Sequence, residues 1–384
     1  MEQYLALARR FFEEMIRFET VNPPGNEQPL AEYVTSTMKA YGFDTQVQPV
    51  APGRANALVQ LGNSPNKLIF NGHLDVVPAG EGWKHDPFVL TEEDGLLYGR
   101  GACDMKGALA AMMAAAIKIK QEGTLRGQEL ILLFVADEEI DGAGAKAFVR
   151  SFEKGSRNWV IIGEGTENQL HVAHRGVVRL RITLTGRQCH AGQPEKGINA
   201  NTMMARFLLA VDRVNQEKQS LHQQVLPPPS VSATRVNGGI KDNVVPGSCE
   251  TVLDFRTVPG ETAQSLVAQM DELLHRLFQG QPEVSWGIEP FIEVKPGMTE
   301  PTAPLVQATT RAYHDLFGTE PQITYFGACC DMSCFTAAGF ETILCGPGSL
   351  NQAHTVDEFV SKEQFEQAVA LYERIVLEAQ KGLA

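Results

Sequence analysis

Apolar residues recur at helical spacing from Glu2 to Arg17, and the Asn22-Pro23-Pro24-Gly25-Asn26 stretch breaks that pattern before a second amphipathic run over 28–41. Aliphatic runs at 55–61 and 67–70 predict strands, and an Ala- and Met-rich run at 108–121 predicts a helix. Strands are predicted again at 129–135 and 159–162, with a helix between them near 143–152. Alternation of this kind predicts an α/β layer built on a mostly parallel sheet.

The texture changes after Arg175. Residues 177–185 alternate apolar and polar as a half-buried strand does, 199–215 are helical in pattern, and 231–236 and 250–256 flank a Gly-rich turn. A long amphipathic helix follows over 262–277, then a strand over 283–288. The order β-α-β-β-α-β predicts a ferredoxin-like α+β insert with antiparallel strands and helices on one face. Near Thr299 the first texture returns. The expected organisation is one domain assembled from 1–176 and 294–384, interrupted by an inserted domain, 177–293. A chain of 384 residues requires such a division, since single cores stop growing at roughly 250–300 residues.

A net charge of −13 argues against nucleic acid and against an anionic membrane surface, both of which attract cationic proteins. No run approaches the ~20 apolar residues of a membrane span, and the first residues lack a basic leader, so a cytoplasmic location is expected. The seven cysteines are scattered, without a C-x-x-C pair, which predicts reduced and mostly buried thiols, including the Cys329, Cys330 and Cys334 group.

Candidate chemistry collects where predicted strands end, the edge at which α/β sheets present ligand-binding groups. His73 and Asp75 lie in Asn71-Gly72-His73-Leu74-Asp75; His73 can ligate a metal while Asp75 accepts its second imidazole proton, although a turn histidine with a capping Asp fits the same letters. Asp104, in Gly99-Arg100-Gly101-Ala102-Cys103-Asp104, can bridge two metals through its two oxygens or merely cap the following helix. In Asp137-Glu138-Glu139 adjacent carboxylates repel, so solvent or a cation must relieve them, and one can ligate while its neighbour handles a proton. Glu164 and His354 complete the set. Each is ambiguous alone; together they offer oxygen and imidazole donors suited to zinc or a similar divalent ion.

With these residues in view the chain resembles, nearly end to end, the M20 metallopeptidase family, in particular its acetylornithine deacetylase and succinyl-diaminopimelate desuccinylase branch. The resemblance implies that His73 and Glu164 hold one zinc, that Glu139 and His354 hold the other, and that Asp104 bridges them. It further implies Glu138 as general base, Asp75 as the group orienting His73, a cis peptide after Asp104, and cobalt or manganese as alternatives to zinc. The inserted domain would serve as lid and homodimer interface. Its Gly186-Arg187-Gln188-Cys189-His190-Ala191-Gly192 segment resembles the family's lid motif, so His190 would stabilise the oxyanion in the partner subunit, and Asn243 and Arg256 would hold the substrate carboxylate. Gly346-Pro347-Gly348-Ser349 before His354 and Asp357-Glu358-Phe359 fit the deacetylase side, whereas Gly327-Ala328-Cys329-Cys330-Asp331 departs from the expected small, Thr-rich loop. The expected activity is two-metal hydrolysis of an N-acyl amino acid. A dipeptidase or carboxypeptidase is the alternative within the family, and an inactive homologue that binds amino acids or metal is the alternative outside catalysis.

Overall fold

In the first unit, one sheet includes five strands: β1 (Asp44–Ala51), β2 (Arg54–Leu61), β3 (Asn66–His73), β4 (Glu129–Val135) and β5 (Arg157–Ile162). All come from the computed structural model, which describes residues 1–221 and 223–381. β1 pairs antiparallel with β2, and β2 antiparallel with β4. From β4 onward the ladder runs parallel, through β3 and β5 to Glu341–Leu344. The sequence explains the centre. β4 reads Glu-Leu-Ile-Leu-Leu-Phe-Val and is buried throughout, the continuous apolar run of a strand covered on both faces.

Helices α1 (Glu2–Ile16), α2 (Gln28–Ala40), α3 (Gly107–Glu122) and α4 (Ala143–Ser151) flank this sheet. α3 is buried along nearly its whole length because it packs against both α1 and the helix Lys362–Ala379, and its small Ala side chains permit close approach. The predicted elements of this unit are present. Strand β1 is an addition: its Asp-Thr-Gln-Val-Gln-Pro-Val-Ala sequence is polar and carries Pro49, a composition that a sheet edge tolerates and that gives little signal.

Register is what positions the site. His73 lies opposite Val135, and both Asn71 and Leu344 lie opposite Ile162, so the strands finish level at one edge. Backbone bonds extend the ladder past the strands, with Leu74 N donating to Val135 O (2.7 Å), Gly163 N to Asn71 O (3.0 Å) and Cys345 N to Ile162 O (2.9 Å).

The contact pattern divides the chain into 1–173 with the segment from 298 onward, and 174–297. The second unit has the spatial strand order Ser230–Gly238, Ser248–Thr257, Gly176–Thr185, Ser285–Val294, antiparallel throughout. Helices Ala200–Gln219 and Ala263–Leu277 share one core with inward residues of those strands, including Leu180, Ile182, Phe207, Leu253 and Leu274. This is the ferredoxin-like α+β arrangement read from the sequence. The first helix starts where Asn199 accepts hydrogen bonds from the backbone of Asn201 and Thr202, a side-chain cap of ordinary form.

Gly144 tests how tightly the loop after β4 is seated. A Cβ there would lie 2.4 Å from Asn56 Oδ1 and 2.5 Å from Ala136 O, while Asn56 itself bonds Ala136 N (3.0 Å) and Gly144 O (2.9 Å). Gly144→Ala is expected to destabilise the chain by about 1–3 kcal/mol through overpacking, read as a lowered midpoint in urea unfolding.

Candidate metal centre

Four of the sequence candidates emerge from the level edge just described. His73 closes β3, Glu138 and Glu139 follow β4, and Glu164 stands two residues past β5. Asp104 arrives differently. It lies in a tight turn over Ala102–Lys106, with extended φ/ψ of −126° and 83°, and the Asp104–Met105 peptide is cis. It does not cap α3, whose N-cap residue is Lys106. His354, in the loop after Glu341–Leu344, has a positive φ of 63°.

Asp104 is the centre of the group. His73 Nε2 lies 2.8 Å from its Oδ1, and His354 Nε2 lies 3.2 Å from its Oδ2 and 3.1 Å from Glu139. Two sets of donor atoms result, His73 with Asp104 and Glu164, and Asp104 with Glu139 and His354, each set within 4.8 Å. Imidazole nitrogen with carboxylate oxygen is the donor chemistry that zinc and similar divalent ions take. The residues present therefore fit such a pair, with Asp104 common to both sets.

The electrostatics agree with a site made for cations. Burial first, then the charges of Glu164, Asp331 and Glu139, push the Glu138 carboxyl well above its usual range, against the pull of His73. Burial and the Asp104 charge likewise raise Glu164 to about 8. Hydrogen bonds to Asp104 and Glu139 raise His354 to about 10. For Asp104 burial acts upward, but hydrogen bonds from His354 and His73 override it and hold the group far below the ordinary Asp value.

Asp75 differs from its expected part. His73 Nδ1 donates to the main-chain carbonyl of Asp75 (2.8 Å), and the carboxylate oxygen lies 3.7 Å away. That carboxylate accepts instead from Asn22 Nδ2 (2.8 Å) and from the backbone N–H groups of Glu138 and Glu139 (3.2 Å each). The residue thus orients the imidazole with its backbone and the two glutamates with its side chain. The geometric reason is register: the ladder bond from Leu74 N to Val135 O sets the turn after β3 beside the turn after β4.

The sequence pointed to no role for Glu358, a fully buried carboxylate that holds the Asp104 turn. It accepts from Arg100 Nη1 (2.6 Å) and from the backbone of Gly101 (2.9 Å), Cys103 (2.8 Å) and Asp104 (3.0 Å). Lys106 is also buried. Its ammonium donates to Phe18 O (2.7 Å), and burial lowers it to about 7. The signal available for both was the rarity of fully buried Glu and Lys, which only a structure reveals. Asn22 is a further addition, tying Asp75 to Asp137 (3.1 Å to the latter), which also pairs with Arg54 at 2.8 Å.

The remaining sequence candidates belong to the second unit. His190 and Asn243 are exposed neighbours on a short ribbon in which His190 pairs with Val244 and Ala191 N donates to Asn243 O (2.9 Å). Arg256 lies on Ser248–Thr257, where its Nε donates to Asp254 (2.9 Å). Among the described residues no cysteine forms a disulfide; Cys330 is buried as expected, whereas Cys329 and Cys334 are partly exposed.

The fold and the paired donor sets define a hydrolase of the metal-dependent amidohydrolase class. Residues 69–378 match the family model described as Peptidase family M20/M25/M40, and the chain belongs to that family. It is 33% identical over 345 residues to acetylornithine deacetylase of Proteus mirabilis (strain HI4320), covering 87% of this chain and 86% of that one. The acetylornithine deacetylase of Pectobacterium carotovorum subsp. carotovorum (strain PC1) is 33% identical over 326 residues, covering 83% and 82%. Among solved structures, aminopeptidase PepT from Bacillus cereus ATCC 10987 superposes with a TM-score of 0.80 at 19% identity, over 98% of this chain and 99% of that one. The YXEP protein of Bacillus subtilis, described as a dinuclear metal binding peptidase from the M20 family, gives 0.75 at 14% identity over 98% of each chain. Among the described residues no helix is long and apolar enough to cross a membrane.

These shifts set a pH dependence for chelator-treated protein. Glu164 rises from 4.5 to about 8 and His354 from 6.5 to about 10, so each contributes stability that is complete below the lower value and lost as pH climbs through the higher one. Asp104 is shifted the opposite way, but its contribution changes only below its ordinary value of 3.8. The buried Lys106, lowered from 10.5 to about 7, is shifted the other way and offsets His354 above pH 8, so the melting temperature of the metal-stripped chain is expected to fall between pH 4.5 and 8, and added zinc to abolish most of that fall.

Proposed function

We propose that this chain releases a free amino acid and a carboxylate from an N-acyl amino acid, in the cytoplasm, using two divalent ions, zinc in the first instance. His73 and Glu164 would hold one ion, Glu139 and His354 the other, and Asp104 would serve both. The observation that carries the reading is the placement of Asp104 with one oxygen on each imidazole, His73 at 2.8 Å and His354 at 3.2 Å, with Glu138 on the adjoining turn. The deacetylases to which the chain is about one-third identical support the substrate class.

When bound, such ions lower the pKa of water and polarise a carbonyl oxygen. The protein's own contribution is proton handling and alignment. Glu138 takes the proton of the attacking water and returns it to the leaving nitrogen, a role suited to a carboxyl whose affinity for a proton is raised by burial. Asp75 fixes the backbone from which Glu138 projects, and Glu358 fixes the turn of Asp104. On the second unit, His190 would donate to the oxyanion in the partner subunit of a homodimer, and Asn243 and Arg256 would hold the substrate carboxylate. Their support is the exposed position of His190 beside Asn243 and the aptness of a guanidinium for carboxylates. Intact Glu138 beside a full donor set weighs against a binding-only homologue.

Hydrolysis of N-acetyl-ornithine, other N-acyl amino acids, N-succinyl-diaminopimelate and dipeptides by zinc-loaded protein, with chelated controls, tests this reading. Chelator-sensitive release of an amino acid from an acyl substrate is expected; activity confined to dipeptides would move the assignment to a peptidase. Glu138→Gln should lower kcat by about 10²–10⁴-fold while metal content stays at the wild-type level by elemental analysis. His190→Ala should lose activity in a protein that elutes as a dimer, and a fully active monomer would remove the cross-subunit role.

A further inference from the structure

One acidic side chain at this centre has no part in the scheme above. Asp331 follows strand Ile323–Phe326 and is the last residue of the Gly327-Ala328-Cys329-Cys330-Asp331 loop. It is only 7% exposed. Its main-chain oxygen accepts helical bonds from Cys334 and Phe335, but among the described residues no hydrogen bond or ion pair reaches its carboxylate. The cation acting on it from α4 is Lys146, whose ammonium is bonded to Asp141 (2.9 Å).

The carboxylate faces the start of α4. One oxygen lies 3.0 Å from where a Cβ of Gly142 would stand, at the start of α4, just beyond the Glu138 and Glu139 turn. The charged groups that act on it are His73, Asp75, Lys146 and Asp137, and it acts in turn on Glu138 and Glu164. Yet it belongs to neither donor set. Asp137 is answered by Arg54 and Asn22, Asp75 by three N–H donors, and Asp104 and Glu139 by imidazoles, while Glu138 and Glu164 have the base and ligand parts proposed above. A buried charge without a partner costs free energy that only an incoming cation or a proton removes.

We infer that Asp331 is a specificity residue that receives an ammonium group of the substrate. The inference rests on the reading of this centre as one that hydrolyses acylated amino acids, and it narrows that class to molecules carrying an amine besides the amide. The amine can be a side-chain ammonium, as in N-acetyl-ornithine, or the free α-ammonium of a dipeptide. Recognition of either is the same charge-assisted contact.

The test compares N-acetyl-ornithine with N-acetyl-norvaline, which lacks only the terminal amine, and alanyl-alanine with N-acetyl-alanyl-alanine, for wild type and Asp331→Asn. Loss of the Asp331 charge is expected to raise KM by about 10- to 100-fold for the cationic member of one pair, with kcat and the neutral member little changed. Which pair responds tells side-chain from α-ammonium. An equal loss on both members of both pairs would make Asp331 merely structural and overturn the inference, as would no loss on any. Titration calorimetry of free ornithine against norvaline into chelator-treated wild type gives a second readout that needs neither turnover nor the variant. Tighter binding of ornithine supports the inference even if no acyl substrate is hydrolysed, in which case the proposed activity alone fails; equal affinities overturn the side-chain form, and equal affinities together with no selective loss on alanyl-alanine overturn the inference whole.

Discussion

Carboxylates drawn together at one edge of a sheet repel, and almost every distinctive feature of the catalytic unit answers that repulsion. Parallel register brings the ends of β3, β4 and β5 level, which places His73, Glu138, Glu139 and Glu164 in one region out of water. Left to itself this arrangement would spread apart or take up protons. Backbone N–H groups hold it instead: two donate to Asp75, and three donate to Glu358 together with Arg100. Asp75 and Glu358 are thus carboxylates stabilised by fixed dipoles, and they keep the remaining carboxylates aimed at positions where cations would sit.

Much of this was legible in the sequence. Periodicity found the central sheet strands because each carries an apolar run, missed the polar edge strand β1, and found the insert because its strands alternate and its helices are amphipathic. The donor residues stood out since His73, Glu138, Glu139 and Glu164 follow directly on apolar runs, where a charged residue needs a reason. Less visible were groups whose significance depends on what surrounds them. Asp75 carries its side chain to the next turn while its carbonyl takes the imidazole proton, and no spacing rule separates those two uses. Glu358 is distant in sequence from the turn it holds, about 255 residues from Cys103, so nothing local announces the pairing. Asp331 was visible only as part of a loop departing from the family pattern; its isolation is a property of the fold.

The two units use contrasting logic. The first has a sheet covered on both faces, and its chemistry is gathered beyond the strand ends. The second covers one sheet face with two helices and leaves the other to rows of paired arginines and carboxylates, such as Arg179 with Asp254 and Arg181 with Glu289. His190 and Asn243 lie outside that sheet, on a ribbon of their own.

The donor set is also split along the chain. His73, Asp104, Glu139 and Glu164 precede residue 174, and His354 follows residue 298, with the whole of 174–297 intervening. During synthesis the ribosome releases the first four together with their strands, but the parallel neighbour Glu341–Leu344, the clamp of Glu358 and the second imidazole are made only near the end. The intervening unit has a sheet and a core of its own and can fold while the first waits. A nascent or prematurely terminated chain therefore holds half of a centre, with Asp104 unclamped and no partner for Glu139. The second donor set closes only when the polypeptide is nearly finished, so that its completion reports that of the chain.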